Sequence, residues 1–247
     1  SLGEIQSASF SPDNKSFAVI HRMGDSLILT VQAVDNGTKM QCAVHGPSCV
    51  WLGDFLVTEQ RVNGSAVIVV AKPSGWDKPI FVSKSISCDP VVVGDLLYYR
   101  SFVSGHWQIR SVSPENWIEK PYTDDGRDYL AFNILNEGDA LVAVKDSFID
   151  YPILDRLARR YRFGLPHDHL PWLDIETDGM LAESPALVDI EYLNAKSPPQ
   201  TLLSSVSFPA GSSMVFDGSL RNIAIGVDGD FTFFSGKYRQ VKDQFCL

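Results

Sequence analysis

Short apolar runs recur along this chain, and in each repeat an aspartate in a polar turn comes directly before one of them. The aspartates are spaced about forty residues apart and stand at Asp13, Asp54, Asp95, Asp139, Asp178 and Asp217. The runs are rich in β-branched and aromatic residues and are short enough for β-strands. Three such runs follow the turn and one precedes it, so the pattern predicts a four-stranded antiparallel meander in each repeat.

The first two repeats show the pattern in detail. In the first, the turn Ser11–Lys15 is followed by runs at Phe17–Ile20, Leu27–Val34 and Lys39–Val44. In the second, Asn63-Gly64 stands between two runs, and this dipeptide is a favoured two-residue turn of a β-hairpin. Each turn aspartate also has Gly, Asn or Pro beside it, the residues that supply positive φ or bond back to the local backbone. Turn chemistry and strand pattern therefore agree.

A repeat of this length with four strands is typical of a β-propeller, whose blades are small sheets arranged around an axis. We therefore predict an all-β protein, a single propeller domain over residues 1–247. Its six blades are expected at approximately 7–46, 47–86, 87–126, 127–168, 169–206 and 207–247. The repeats at Asp178 and Asp217 are looser than the other four. An alternative is a smaller propeller, in which residues 150–185 form a separate helical insert and the fifth repeat does not exist.

The turn of the first repeat carries a family resemblance. Residues Ser9–Lys15, followed by the apolar run Phe17–Val19, resemble the blade signature of TolB-type and WD40-like propellers. In that signature a Ser-Pro-Asp-Gly-Lys turn precedes an apolar strand. The resemblance implies a propeller fold and a habit of binding other proteins on a rim or across the axial opening. It implies no reaction.

Composition narrows the classes of function. The net charge is −9 and the pI is near 4.9, which argues against a general nucleic-acid binder, because such proteins need a basic face. Apolar residues make up 45% of the chain, enough for a buried core. No stretch approaches the roughly 18 apolar residues that cross a bilayer, so we predict no transmembrane segment. Peripheral membrane association through a complex is compatible with these features, and no pattern in the sequence fixes the compartment.

One segment is locally basic. Its arginines lie within Ile153–Phe163, where the apolar residues recur at helical spacing. The pattern predicts a short amphipathic helix near 150–165 that interrupts the fourth or fifth blade. One interpretation is a surface helix that covers a sheet edge, with solvated arginines. The other is a docking element for an acidic partner, with the candidate binding residues Arg156, Leu157, Arg159, Arg160, Tyr161 and Arg162.

Candidate catalytic and metal-binding motifs are few. His167 and His169 are two residues apart, but they lie between prolines and the sequence nominates no third ligand. The chain has no Gly-x-Ser-x-Gly elbow and no phosphate-binding glycine loop. Cys49 and Cys88 precede equivalent turns, so they are either buried apolar residues or a disulfide between neighbouring blades. We predict no catalytic residue, no metal and no cofactor.

These observations favour a protein-interaction module over an enzyme. A rigid ring of small sheets presents loops at fixed positions, so a partner surface can be built without disturbing the core. The predicted partners are other proteins, and the domain is expected to be one part of a larger assembly or a longer chain. The alternative is a propeller enzyme, a lyase or hydrolase that acts on a glycan or peptide at the axial opening.

Overall fold

The computed structural model describes residues 4–35, 37, 39–135, 140–146, 186–194, 197–208, 213–216, 222–227, 230–235 and 239–241. Within these ranges the regular structure is almost entirely β, with one 3₁₀ turn at Pro73–Gly75 and no α-helix. The chain divides into two compact units, residues 1–126 and 127–247. The described strands form antiparallel sheets of four strands each, in chain order within every sheet.

The first unit contains three of these sheets. The first sheet consists of β1 (Glu4–Phe10), β2 (Ser16–Met23), β3 (Ser26–Ala33) and β4 (Lys39–Val44). The second sheet consists of β5 (Cys49–Leu52), β6 (Phe55–Val62), β7 (Ser65–Ala71) and β8 (Phe81–Val82). The third sheet consists of β9 (Ser87–Val93), β10 (Leu96–Val103), β11 (His106–Val112) and β12 (Glu119–Pro121). Each is the meander that the sequence predicts.

The second unit contains two described sheets. The fourth sheet consists of β13 (Tyr129–Leu135), β14 (Ala140–Asp146), β15 (Ala186–Asn194) and β16 (Ser197–Phe208). The fifth sheet consists of β17 (Ser213–Phe216), β18 (Asn222–Val227), β19 (Asp230–Ser235) and β20 (Arg239–Val241). Apolar side chains of β14 and β15, such as Val144 and Ile190, form one core cluster with Ile223 and Ile225 of β18.

Two-residue turns join the second and third strands of the first three sheets. They are Gly24-Asp25, Asn63-Gly64 and Ser104-Gly105. Asn63 and Gly64 have φ of 51° and 85°, as a type I′ turn requires, and the predicted hairpin is therefore present. The tight turns keep each strand pair in register, for example Val62 opposite Ser65.

The core of the first unit lies between neighbouring sheets. Leu56 of β6 packs with Ala18 and Ile20 of the first sheet, whereas the next residue, Val57, packs with Leu97 of the third sheet. Successive strand residues point to opposite faces, so both faces of the second sheet are buried. The first strands are also neighbours, since β1 lies beside β5 and β5 beside β9. This is the side-by-side arrangement of propeller blades.

The fourth sheet departs from the predicted blade boundaries. Its strands β14 and β15 pair directly, from Ala140 opposite Asn194 to Asp146 opposite Val188, although residues 147–185 separate them in the chain. Described parts of the predicted blades 127–168 and 169–206 therefore lie in one sheet, and the predicted count of six blades is not confirmed. Five four-stranded sheets are present in the described ranges, and the alternative of a smaller propeller with a helical insert at 150–185 stays a prediction, because those residues lie outside these ranges. The helix predicted near 150–165 lies outside these ranges.

Candidate functional site

Each of the first four sheets buries one ionisable side chain in the second half of its second strand. These side chains are His21, Glu59, Arg100 and Lys145, with exposed fractions of 1%, 6%, 5% and 6%. In three of the sheets the neighbouring first strand has a register shift at this point, which leaves an extra residue and bends the strand. In the second sheet β5 begins only at Cys49, opposite Thr58, and the backbone N–H of His45, which precedes β5, donates to the Glu59 carbonyl at 2.9 Å.

The most connected of these groups joins the second sheet to the third, and we call Glu59, Asp89 and Arg100 the Glu59 cluster. Glu59 Oε1 accepts a hydrogen bond of 2.9 Å from the backbone N–H of Asp89 on β9. Arg100 on β10 makes an ion pair with the Asp89 carboxylate through Nε and a terminal nitrogen. The Arg100 guanidinium also lies 5.2 Å from the centre of the Trp107 ring, at cation–π distance.

Two backbone features make room for the Glu59 cluster. Asp89 has φ of 55°, a left-handed conformation that short polar side chains tolerate, and it sits at the register shift in β9. Gly46 lies against the Glu59 side chain on its other side. A Cβ added at Gly46 would lie 1.9 Å from Glu59 Oε2, so only glycine fits there without movement.

Burial dominates the electrostatics of the Glu59 cluster. It raises the pKa of the Glu59 carboxyl to about 7, and the Asp89 charge adds to this. The hydrogen bond from the Asp89 N–H and the Arg100 charge act in the opposite direction. Burial also raises the pKa of the Cys88 thiol well above its usual range, which keeps this thiol protonated and a poor nucleophile.

A second buried network lies in the fourth sheet, at the end where residues 147–185 leave β14 and return to β15. Lys145 Nζ donates to both Glu191 oxygens, at 2.9 and 3.1 Å, and Tyr129 donates to Glu191 at 3.4 Å. Arg127 pairs with Asp189 at 3.1 Å. These contacts connect β13, β14 and β15, so they fix the base of the 147–185 segment.

A third polar network lies within the third sheet, around Glu119, whose side chain is 10% exposed. Tyr99 on β10 donates its hydroxyl proton to Glu119 Oε2 on β12 at 2.8 Å, and Arg110 Nε lies 3.9 Å from the other oxygen. Burial first, and then the Glu119 charge, raise the pKa of Tyr99 and keep its hydroxyl a donor. This group has a structural role, because it connects strands of one sheet.

The predicted binding residues Arg156, Leu157, Arg159, Arg160, Tyr161 and Arg162 all lie outside the described residues, as do His167 and His169. The structure does place the two ends of their segment, at the β14–β15 connection. In the first three sheets the same connection is a two-residue turn. The fourth sheet therefore carries a long insert where the first three have their shortest loops.

Sequence reasoning missed the Glu59 cluster, although a signal for it was present. Glu59, Arg100 and Lys145 each end an otherwise apolar run that was identified as a strand. A charged residue at the inner end of such a run is rarely buried unless it is paired. The three residues could therefore have been nominated as a buried polar layer, but their partners, such as Asp89, could not.

Three cysteines and several possible metal ligands lie in the described ranges. Cys42, Cys49 and Cys88 are free thiols there, so the predicted alternative of a Cys49–Cys88 disulfide is not formed. Cys49 Sγ instead lies 3.5 Å from Ser7 Oγ. Among the same residues no three His, Cys, Asp or Glu side chains are grouped to hold a metal ion. A helix long and apolar enough to cross a membrane is also absent from this part of the chain.

Comparison with known proteins gives a likeness in structure but none in sequence. No protein-family model matches the chain, and no curated protein matches it. TolB from Acinetobacter baumannii superposes with a TM-score of 0.52 over 96% of this chain and 54% of that one, at 15% identity. A putative TolB from Agrobacterium tumefaciens gives a TM-score of 0.50 over 83% of this chain and 66% of that one, at 13% identity.

A third solved structure is the β-propeller domain of the Trilobed protease from Pyrococcus furiosus. Its TM-score is 0.54 over 96% of this chain and 70% of that domain, at 11% identity. The fold is a TolB-like β-propeller. The resemblance seen in Ser9–Lys15 is thus confirmed for the fold. This TolB-like chain spans 54% of the Acinetobacter TolB structure.

Proposed function

We propose that this TolB-like propeller is a protein-binding module that works as one part of a larger assembly. The observation that carries the proposal is the position of residues 147–185, inserted at a connection that takes two residues in the first three sheets. Long segments inside a compact domain are usually functional or disordered. An insert of this length on a rigid sheet is a common way to add a binding surface to a fold.

The chemistry of the insert indicates the partner. The chain carries a net charge of −9, yet Arg156, Arg159, Arg160 and Arg162 fall within seven consecutive positions of the insert. Arginine forms bidentate hydrogen bonds with carboxylates and is enriched among the residues that dominate interface energies. Tyr161 would add an aromatic anchor of the kind that such interfaces favour. The partner we propose is a protein that presents an acidic surface with an apolar centre.

The described residues give this insert a firm base. Lys145 on β14 is one position from Asp146 and Glu191 on β15 is three positions from Val188, the last residues that pair these two strands, and Lys145 donates to Glu191. Both side chains are buried, and their ion pair would be costly to break once formed. The two ends of the insert therefore leave the sheet from fixed points, which lowers the entropy lost when a partner binds.

The experiment compares partners captured from the native organism by the full chain and by two charge variants. Arg159→Glu/Arg160→Glu reverses charge in the insert. Lys78→Glu/Lys84→Glu makes the same charge change at exposed residues of the second sheet and serves as the matched control. We expect a specific partner with an acidic surface that the control retains and the insert variant loses, with melting temperatures within a few degrees of each other.

Three outcomes would contradict the proposal. Partners bound equally by the wild type and the insert variant would move the binding site away from these arginines. An absence of any specific partner would favour the alternative of an enzyme, which would then be tested by screening glycans and peptides as substrates. If the insert variant lost partners and cooperative unfolding together, its effect would be one on folding, and the assignment to the arginines would fall.

A further inference from the structure

The Glu59 carboxyl contacts three separate parts of the first unit. Its own strand is β6, Gly46 of the β4–β5 connection lies against its Oε2, and the Asp89 N–H of β9 donates to its Oε1. The main chain also connects β6 to the β4–β5 connection, since the Glu59 carbonyl accepts hydrogen bonds from the N–H groups of His45 and Gly46 at 2.9 and 3.5 Å. One side chain thus joins the second sheet, its leading connection and the third sheet.

The charged and titratable groups around Glu59 do not balance its charge. From the third sheet Asp89, Cys88 and Arg100 face it, and Arg100 is already paired with Asp89. His45 stands on the β4–β5 connection, where burial and the charge of Arg61 lower its pKa and favour its neutral form. When both carboxyls are ionised, two negative charges share one guanidinium, and the Glu59 charge is buried whereas the Asp89 side chain is 48% exposed, so ionisation is unfavourable mainly at Glu59. A proton on Glu59 removes this excess charge.

We propose that Glu59 is a proton-dependent clasp, which holds the His45–Gly46 connection and the Asp89 bulge together when protonated and releases them when it ionises. The protonated carboxyl fits the narrow space against Gly46 and keeps Oε1 as an acceptor for the Asp89 N–H. The ionised carboxylate gains hydration only if this region opens, since 6% of Glu59 is exposed in the closed form. This inference does not depend on the proposed protein-binding function.

The pH at which the clasp acts follows from the same geometry. Burial places the Glu59 pKa near 7, so the carboxyl changes charge close to neutral pH. Between about pH 4.5, the ordinary pKa that the open form would have, and pH 7, the open form gains up to about tenfold in population per pH unit, because opening is then linked to loss of one proton. Below pH 4.5 the carboxyl is protonated in both forms and above pH 7 it is ionised in both, so the opening equilibrium levels off at each end.

Amide hydrogen exchange on the full chain tests this proposal. Protection of the peptides that contain His45–Gly46 and Cys88–Asp89 is measured from pH 4.5 to 8.5 and corrected for intrinsic exchange rates. In the wild type we expect corrected protection to fall by up to about tenfold per pH unit between pH 4.5 and 7 and to level off above pH 7, whereas in Glu59→Gln it should be flat throughout. Glu119→Gln is the matched control, because that side chain is a 10% exposed carboxyl of the third sheet, and it should keep the wild-type profile.

Three results would contradict the proposal that Glu59 is a proton-dependent clasp. One is a wild-type protection profile that is as flat as that of Glu59→Gln, and another is a Glu119→Gln variant that has lost the pH dependence as well. The third needs no variant, which matters if Glu59→Gln fails to fold. It is an NMR titration of the Glu59 carboxyl carbon in the folded wild type, and the absence of an inflection between pH 5.5 and 8.5 would exclude the proposal.

Discussion

At the scale of single residues, the chain places ionisable side chains in the second half of apolar strands and gives them hydrogen-bonding partners nearby. Glu59 and Arg100 are almost fully buried, and each has a hydrogen-bonding partner in Asp89. Asp89 can serve both because its left-handed backbone turns its N–H toward one and its carboxylate toward the other. A buried charge without such partners would cost several kcal/mol.

The first prediction concerns the effect of pH on stability. Glu59 has an ordinary pKa of 4.5 when unfolded and about 7 when folded, so the folded state binds the proton more tightly. The contribution of Glu59 to the free energy of unfolding is therefore complete below pH 4.5 and is lost as pH rises through 7. The total loss is about 3 kcal/mol. In Glu59→Gln the side chain does not titrate, so the free energy of unfolding does not fall for this reason. Urea unfolding from pH 4.5 to 8 should show the variant gaining about 3 kcal/mol relative to wild type.

The control for this prediction is Glu115→Gln, which changes an exposed carboxyl of the third sheet. Its difference from wild type should stay within about 0.5 kcal/mol at every pH. A difference between Glu59→Gln and wild type that is independent of pH would show that the Glu59 carboxyl titrates normally in the folded protein.

A second prediction tests the fit of Gly46. In Gly46→Ala the new Cβ meets Glu59 Oε2, and we expect a loss of about 1–3 kcal/mol in the free energy of unfolding. Gly75→Ala is the control, because a Cβ there has open space around it, and it should be nearly neutral. In a Glu59→Ala background part of the cost of Gly46→Ala should disappear, because the carboxyl is removed whereas the Cβ of residue 59, 2.7 Å from the added atom, remains. An undiminished cost in that background would mean that the clash is with other atoms.

At the scale of strands and sheets, the apolar runs determine where strands form, and buried ion pairs hold particular strands together. Lys145 and Glu191 join β14 to β15, although 147–185 separate these strands in sequence. Elsewhere in the fold the second and third strands are held by a two-residue turn such as Asn63-Gly64. The fourth sheet thus relies on side-chain contacts as well as strand pairing.

The third prediction concerns this pair of strands. Lys145→Met leaves Glu191 buried without its cation and should cost about 3–5 kcal/mol. In Lys145→Met/Glu191→Leu both charges are gone, and most of that loss should be recovered. Lys15→Met is the control, since Lys15 is 78% exposed and its contact with Asp13 is 3.8 Å long, so its loss should cost less than about 1 kcal/mol.

Guanidinium unfolding of the wild type, Lys145→Met, Glu191→Leu and the double variant gives the coupling energy directly as a double-mutant cycle. If Lys145→Met and Lys145→Met/Glu191→Leu lost the same free energy of unfolding, Lys145 would act through packing alone. Its charge would then be irrelevant to β14–β15 pairing.

At the scale of the whole molecule, the described residues form four-stranded sheets in two compact units, and the largest interruption lies within the fourth sheet. The strands on either side of it pair with each other over seven positions, from Ala140 to Asp146 on β14. The sheet itself therefore does not need residues 147–185 to complete its strand order.

The fourth prediction follows from this pairing. Residues 147–187 are replaced by Asn-Gly, which would connect Asp146 to Val188 as a two-residue turn. We expect the far-ultraviolet circular dichroism of a β protein and cooperative unfolding to be retained, because a shorter loop costs less closure entropy. The proposed partner should no longer bind. Loss of cooperative unfolding would instead show that the segment contributes to the core.

The sequence alone was sufficient for the repeated strand pattern, the turns and the all-β class. These features depend on local chemistry, such as the type I′ preference of Asn63-Gly64 and the alternation that buries Leu56 and Val57 on opposite faces. The propeller was predictable for the same reason, since a repeat of one small sheet requires neighbours on both sides.

Only the tertiary structure decided which strands share a sheet and which charges meet. The run after Asp178 was counted as a further repeat, yet β14 pairs with β15, because hydrogen bonding between strands does not depend on their separation in sequence. Likewise, no spacing rule brings Glu59, Asp89 and Gly46 together. Their contact depends on how the second and third sheets pack, and that packing is fixed by the apolar core between them.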